Sequence, residues 1–125
     1  MKTGRAQAKG FTLVEIMIVV AIIGLLAAIA IPNFIRARTT SQQNACINNL
    51  RQIDGAKQQW ALENNVVPTA QPGNAQIQPF LGVGSKGILP SCPADSGGRY
   101  DTSYVTGDLN TPPVCRINST NHLLL

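Results

Sequence analysis

The sequence predicts an α+β protein: a long N-terminal α-helix, half membrane-spanning and half amphipathic, packed on a small C-terminal antiparallel β-sheet. Three observations predict it. Residues 11–31 are apolar almost without a break and carry a single acid, Glu15. Between Cys46 and Trp60, apolar residues recur at helical spacing. In the last third, short alternating stretches stand between turn residues, the pattern of brief strands.

Residues 1–10 form a basic leader. Lys2, Arg5 and Lys9 precede the apolar run with no acid among them, and positive charge ahead of an apolar helix marks its cytoplasmic side. Most of the net charge of +4 lies here, because beyond residue 10 seven basic residues face six acids. The basicity is therefore no argument for a nucleic-acid partner.

Residues 11–32 are expected to form a transmembrane helix. The 21 residues from position 11 to 31 make about 31 Å of helix, the thickness of a bilayer's hydrocarbon core. A cleavable signal peptide is the plainer alternative, and Ala28-Ile29-Ala30 offers an A-x-A site, but the apolar run is longer than signal peptides use. Neither a signal peptide nor a plain anchor accounts for Glu15. A carboxylate at the bilayer centre costs on the order of 3 kcal/mol on insertion scales, which makes it a functional candidate. A cut between Gly10 and Phe11 would leave the new Phe11 amine one helical turn from Glu15, about 6 Å along the axis. That amine can pair with its own Glu15 or with that of an adjacent copy, so the charge is not stranded.

Residues 33–65 continue the helix. Positions 33–44 are polar with no obvious face to bury, and Arg36 and Arg38 suit the outer membrane interface. Cys46, Leu50, Ile53 and Trp60, with Ala56 beside them, then form an apolar stripe opposed by Asn48, Arg51, Gln52, Gln58 and Glu63. Asn64, Asn65 and Pro68 end the helix. Residues 66–125 read as a loop-rich β head. Residues 66–90 are loop, with one helical turn near 75–81. Residues 99–105 are a strand with Tyr100, Thr102 and Tyr104 on one face, residues 114–117 a second strand, and residues 122–125 a third.

Lys9-Gly10-Phe11-Thr12-Leu13-Val14-Glu15, followed by apolar residues to Pro32, resembles the prepilin cleavage site of type IV pilins and type II secretion pseudopilins. The resemblance implies that prepilin peptidase cuts after Gly10 and N-methylates Phe11, leaving Glu15 as fifth residue of the mature chain. Gly24 and Pro32 stand where many pilins have helix-loosening residues. Past the leader, "CINNLRQIDGAKQQWALENN", then Cys92-Pro93 and Gly97-Gly98-Arg99-Tyr100, resemble a group of small pilin-like proteins. The implied function is that of a structural subunit, pilin or pseudopilin, of a type IV filament-like assembly. Its implied partners are prepilin peptidase, other copies and related pilins. Its implied place is the bacterial inner membrane, with the head exported, and then a periplasmic or cell-surface filament. The alternative is a membrane-tethered minor pilin-like module that binds DNA or a secreted substrate. For nucleic acid, Arg99, Tyr100, Tyr104 and Arg116 make only a thin basic aromatic strip, so it is not the expected partner.

No enzyme is expected. His122 is the only histidine and nothing frames a nucleophile for it. Cys46, Cys92 and Cys115 are odd in number, and an exported head meets an oxidising compartment. Cys92 and Cys115 are the expected disulfide: it closes a loop of 24 residues counting both ends, worth roughly 3 kcal/mol in the chain-entropy account. Cys46 then remains a buried thiol on the helix stripe. A Cys3His zinc site from Cys46, Cys92, Cys115 and His122 is arithmetically available, but its spacing lacks the close pairs such sites use. Asp95, Asp101 and Asp108 bracket a Gly-rich loop, where major pseudopilins carry calcium, yet they lack EF-hand spacing. No cofactor is expected, calcium being the weak exception.

Overall fold

The computed structural model describes residues 10–81 and 89–124. The basic leader up to Lys9, and Leu125 of the expected third strand, lie outside the described residues. The chain divides into two compact units, Met1–Ala37 and Arg38–Leu125, and helix α1 (Leu13–Asn64, 52 residues) contributes to both.

In the first unit the large apolar side chains of residues 11–35 are all 48–83 % exposed. Gly24 and Pro32 both lie inside α1, which runs through them unbroken. Among the described residues nothing buries an apolar surface of this extent, the kind of surface that lipid or other protein covers. Its length and hydropathy are those of a membrane-spanning helix.

In the second unit α1 buries the expected stripe: Cys46, Leu50, Ile53, Ala56 and Trp60 are all inside, and Lys57 is buried with them. The helix stops where Asn65 turns to φ 48°, a left-handed cap that asparagine tolerates. Residues 66–73 are irregular. The expected helical turn follows as α2 (Asn74–Ile77) and a 3-10 turn (Gln78–Phe80), which bury Ile77 and bring Leu81 into the core. Tyr100, Tyr104, Cys92 and Cys115 complete that core, with Phe80, Leu89 and Leu124 packed against it.

The sheet is smaller than the sequence predicts. Tyr100–Ser103 is a helical turn, α3, and only Tyr104–Val105 (β1) and Val114–Cys115 (β2) pair, antiparallel, with Tyr104 opposite Cys115. Positions 100 and 104 share a face in one helical turn as well as in a strand, so the burial of both tyrosines fits either period. Thr102 breaks the tie. It is exposed, and its hydroxyl donates to Asp95 Oδ2 at 2.6 Å and to the Arg99 carbonyl at 3.0 Å, which holds the turn. No third strand forms over residues 122–124. The Asn118 side chain and carbonyl accept from the Asn121 and His122 amides instead, closing a turn that carries His122 inward.

The turn between the strands rests on Gly107 and Asp108. Gly107 has φ 69°, and a Cβ there would lie 2.6 Å from Thr111 Oγ1. Asp108 Oδ1 accepts from the Asn110 and Thr111 amides and from the Thr111 hydroxyl, at 3.1, 2.8 and 2.7 Å. Those Thr111 bonds hold the Asp108 carboxyl below its usual range. A carboxyl depressed in the folded state stabilises above its unfolded pKa of about 3.9, and that contribution is lost as pH falls through the folded value. Thermal unfolding of the head should therefore lose stability below about pH 4, and Asp108→Asn should show a shallower acid decline. Equal acid slopes in the two proteins would remove this role from Asp108.

Candidate functional site

Phe11 is exposed at the start of the apolar segment, and the helix begins two residues later. Thr12 stands at the N-cap position. Its Oγ1 accepts from the Glu15 amide at 3.2 Å, and Glu15 Oε2 accepts from the Thr12 amide at 3.4 Å. This is a reciprocal capping box, whose T-x-x-E signature is present in the sequence but is overshadowed there by the cost of the charge. Glu15 thus has a local role in the single chain, where it is exposed. Gly10 has open space where a Cβ would stand, and its φ lies outside the left-handed region. Among the described residues nothing opposes alanine at position 10.

A second site lies in the head. Cys46 from α1, Cys92 from the loop before α3, Cys115 from β2 and His122 from the C-terminal turn are all buried, and their ligand atoms lie within 4.8 Å of one another. His122 Nδ1 is 3.7 Å from both the Cys92 and Cys115 sulfurs. The Tyr104 hydroxyl donates to Cys46 Sγ at 3.6 Å and accepts from Asn49 Nδ2 at 3.0 Å. All three cysteines are free thiols. Cys92 and Cys115, expected to be joined by a disulfide, stand unbonded, and Cys46, a buried thiol, lies with them in one cluster. Burial pushes the Cys46 and Cys92 thiols up and the His122 imidazole down, which favours the neutral form of each.

Polar side chains hold the segments that carry the cluster. Gln42, Gln43 and Asn49 lie one turn on either side of Cys46 and donate to the carbonyls of Pro93 (3.3 Å), Asn121 (2.8 Å) and Ser91 (3.0 Å). The polar stretch 33–44, expected to have no face to bury, thus has a hydrogen-bonding one. Asp95 accepts from the Gly97 amide and from the hydroxyls of Thr102 and Ser103, and these bonds hold its carboxyl below the usual range. Ser103 Oγ in turn accepts from the Cys92 amide at 3.0 Å.

Asp95, Asp101 and Asp108 do not converge. Asp95 bonds within its loop and to the α3 hydroxyls of Thr102 and Ser103, Asp108 bonds within its own turn, and Asp101 accepts from the Asn74 side chain. Among the described residues, the cluster able to hold a metal is the Cys3His group. The strip of Arg99, Tyr100, Tyr104 and Arg116 does not offer its aromatic faces. Tyr100 and Tyr104 are 6 % and 3 % exposed, with their rings against each other at 5.7 Å.

Lys57 goes unnoticed in the sequence, although it fills the position between Ile53 and Trp60 on the apolar stripe. Its Nζ donates to the carbonyls of Thr106, Asp108 and Thr111 at 3.0, 2.9 and 2.7 Å, and Asp54 lies at 3.6 Å. Burial lowers its pKa, against the opposing charge of Asp54.

Residues 5–31 match the family described as the prokaryotic N-terminal methylation motif. The chain is 51 % identical over 57 residues to the type IV major pilin protein PilA of Myxococcus xanthus, covering 46 % of this chain and 26 % of that protein. It is 36 % identical over 73 residues to the type II secretion system core protein G of Vibrio cholerae, covering 58 % and 49 %. Against the type II secretion system core protein G of Escherichia coli it is 30 % identical over 98 residues, covering 73 % and 68 %. The chain thus spans about a quarter and about a half of the first two relatives. No solved structure matches it.

Fold and motif together define a class: an α+β protein on one long helix, apolar in its first half, entered through an N-terminal methylation motif. The chain belongs to the type IV pilin and type II secretion pseudopilin family.

Proposed function

We propose that this protein is a structural subunit, pilin or pseudopilin, of a type IV filament-like assembly. Prepilin peptidase cuts it after Gly10 and methylates Phe11, and it polymerises with other copies and related pilins through residues 11–32. The observation that carries this reading is the methylation motif over residues 5–31, running into a helix whose large apolar side chains up to residue 35 are all exposed. In the membrane, lipid covers that surface; in a filament, neighbouring helices do. The exported head decorates the assembly and has no catalytic part in it.

Co-expression of the full chain with a prepilin peptidase should shorten it by its first ten residues and leave N-methylphenylalanine at Phe11. Intact mass of the membrane fraction measures this. Gly10→Ala should fold normally and slow processing modestly, whereas a bulky residue at position 10 should block it. A product beginning at Ile31 means that ordinary signal peptidase acted after Ala30, and the reading falls.

A further inference from the structure

Three thiols and one imidazole, drawn from four separate segments, converge at one buried point of the head. We propose that Cys46, Cys92, Cys115 and His122 form a closed tetrahedral site for zinc(II) that fastens the head loops to α1.

The geometry fits that ion. With zinc–sulfur and zinc–nitrogen bonds of about 2.3 and 2.0 Å, a tetrahedron has sulfur–sulfur edges of about 3.8 Å and sulfur–nitrogen edges of about 3.5 Å. His122 Nδ1 stands 3.7 Å from two of the sulfurs, and no two ligand atoms are more than 4.8 Å apart. The donor set fits as well. Three soft thiolates with one imidazole in a tetrahedron select zinc over the hard, oxygen-seeking cations. All four positions belong to the protein and are buried, the mark of a structural site and not of a catalytic one with an open position.

On binding, the three thiols release their protons to solvent and become thiolates, while His122 binds through its neutral Nδ1. The site then carries one net negative charge, and the Tyr104 hydroxyl already donates to Cys46 Sγ. The surroundings are built for fixed ligands. Gln42, Gln43 and Asn49 pin the ligand-bearing loops, and Ser103 holds the Cys92 amide.

Zinc also accounts for the odd thiol. A disulfide between any two cysteines leaves the third and His122 without a role, whereas zinc engages all four. A head whose sheet has only two residues per strand needs such a fastening. A Cys92–Cys115 disulfide would tie the β2 segment to the preceding loop, but neither of them to α1. The metal ties α1, the loop, β2 and the C-terminal turn at once. This inference concerns the head and does not depend on filament assembly.

The test uses the full chain, extracted from membranes in detergent without chelator. Elemental analysis should find one zinc per chain. Iodoacetamide should label none of the three thiols natively and all three after chelation in denaturant. His122→Ala should lose its zinc to a chelator that leaves the wild type loaded. If that variant fails to fold, cobalt(II) in the wild-type chain reports the same site through the intense visible bands of tetrahedral, thiolate-bound cobalt. A metal-free chain overturns the proposal, whether it is two hydrogens lighter through a disulfide or carries three reactive thiols. Weak octahedral cobalt bands, or a metal other than zinc, overturn it as well.

Discussion

Glu15→Gln should insert into the membrane as well as the wild type and yet lose nearly all of its filaments. Glutamine keeps the capping box, because its side-chain oxygen can still accept from the Thr12 amide, as Glu15 Oε2 does at 3.4 Å. What it loses is the charge. On the proposed assembly, the Phe11 ammonium of a neighbouring copy enters an apolar helix bundle and needs that carboxylate. Leaving one member of a buried ion pair alone costs about 3–5 kcal/mol, so filament yield should fall by roughly a hundredfold or more. Insertion should not suffer, since removing a charge from an apolar helix eases it. Glu15→Val removes both charge and cap and should fail at least as badly. The measurement compares sheared or secreted filaments with membrane-held protein, scoring Phe11 methylation in parallel. If Glu15→Gln assembles normally and only Glu15→Val fails, the carboxylate serves its own helix cap and the pairing account is wrong.

Lys57→Met should destabilise the head by roughly 3 kcal/mol or more, the largest loss expected from a single head residue outside the thiol cluster. Methionine matches the stem and keeps its packing, but it donates nothing. The carbonyls of Thr106, Asp108 and Thr111 would then lose their shared donor, each at about 1–3 kcal/mol where it stays dry. Those carbonyls shape the turn between β1 and β2, so the loss should spread into the strand pair. Trp60 is the only tryptophan, is 8 % exposed and lies one turn along α1 from Lys57, so its fluorescence follows the unfolding. Denaturant titration of the full chain in detergent gives the difference. A change below about 1 kcal/mol would mean that water replaces the ammonium and that Lys57 is dispensable.

What the sequence by itself determined was whatever depends on near neighbours. The apolar run of residues 11–31, the Gly10–Phe11 junction with Glu15 behind it, the stripe of Cys46, Leu50, Ile53 and Trp60, and the stop at Asn65 are all carried by spacings of a few residues. Helix geometry converts such spacings directly into a surface. The last third was harder for the same reason. Tyr100 and Tyr104 satisfy one helical turn and a strand equally, and the decision fell to the hydroxyl of Thr102 and its contact with Asp95, seven residues away. Lys57 occupied a core position in plain view, but only three backbone carbonyls some fifty residues on make burying an ammonium tolerable.

The thiol cluster depended on tertiary structure most of all. Its members lie 46, 23 and 7 residues apart along the chain, too irregular to announce a metal site. They meet because loops return to the helix, and the loops return because Gln42, Gln43 and Asn49 supply the donors their carbonyls need. A ligand set is defined by distances of a few ångströms between side-chain atoms. Where the connecting chain is long and irregular, those distances are set by the hydrogen bonds that close the loops and not by the spacing of the ligands themselves.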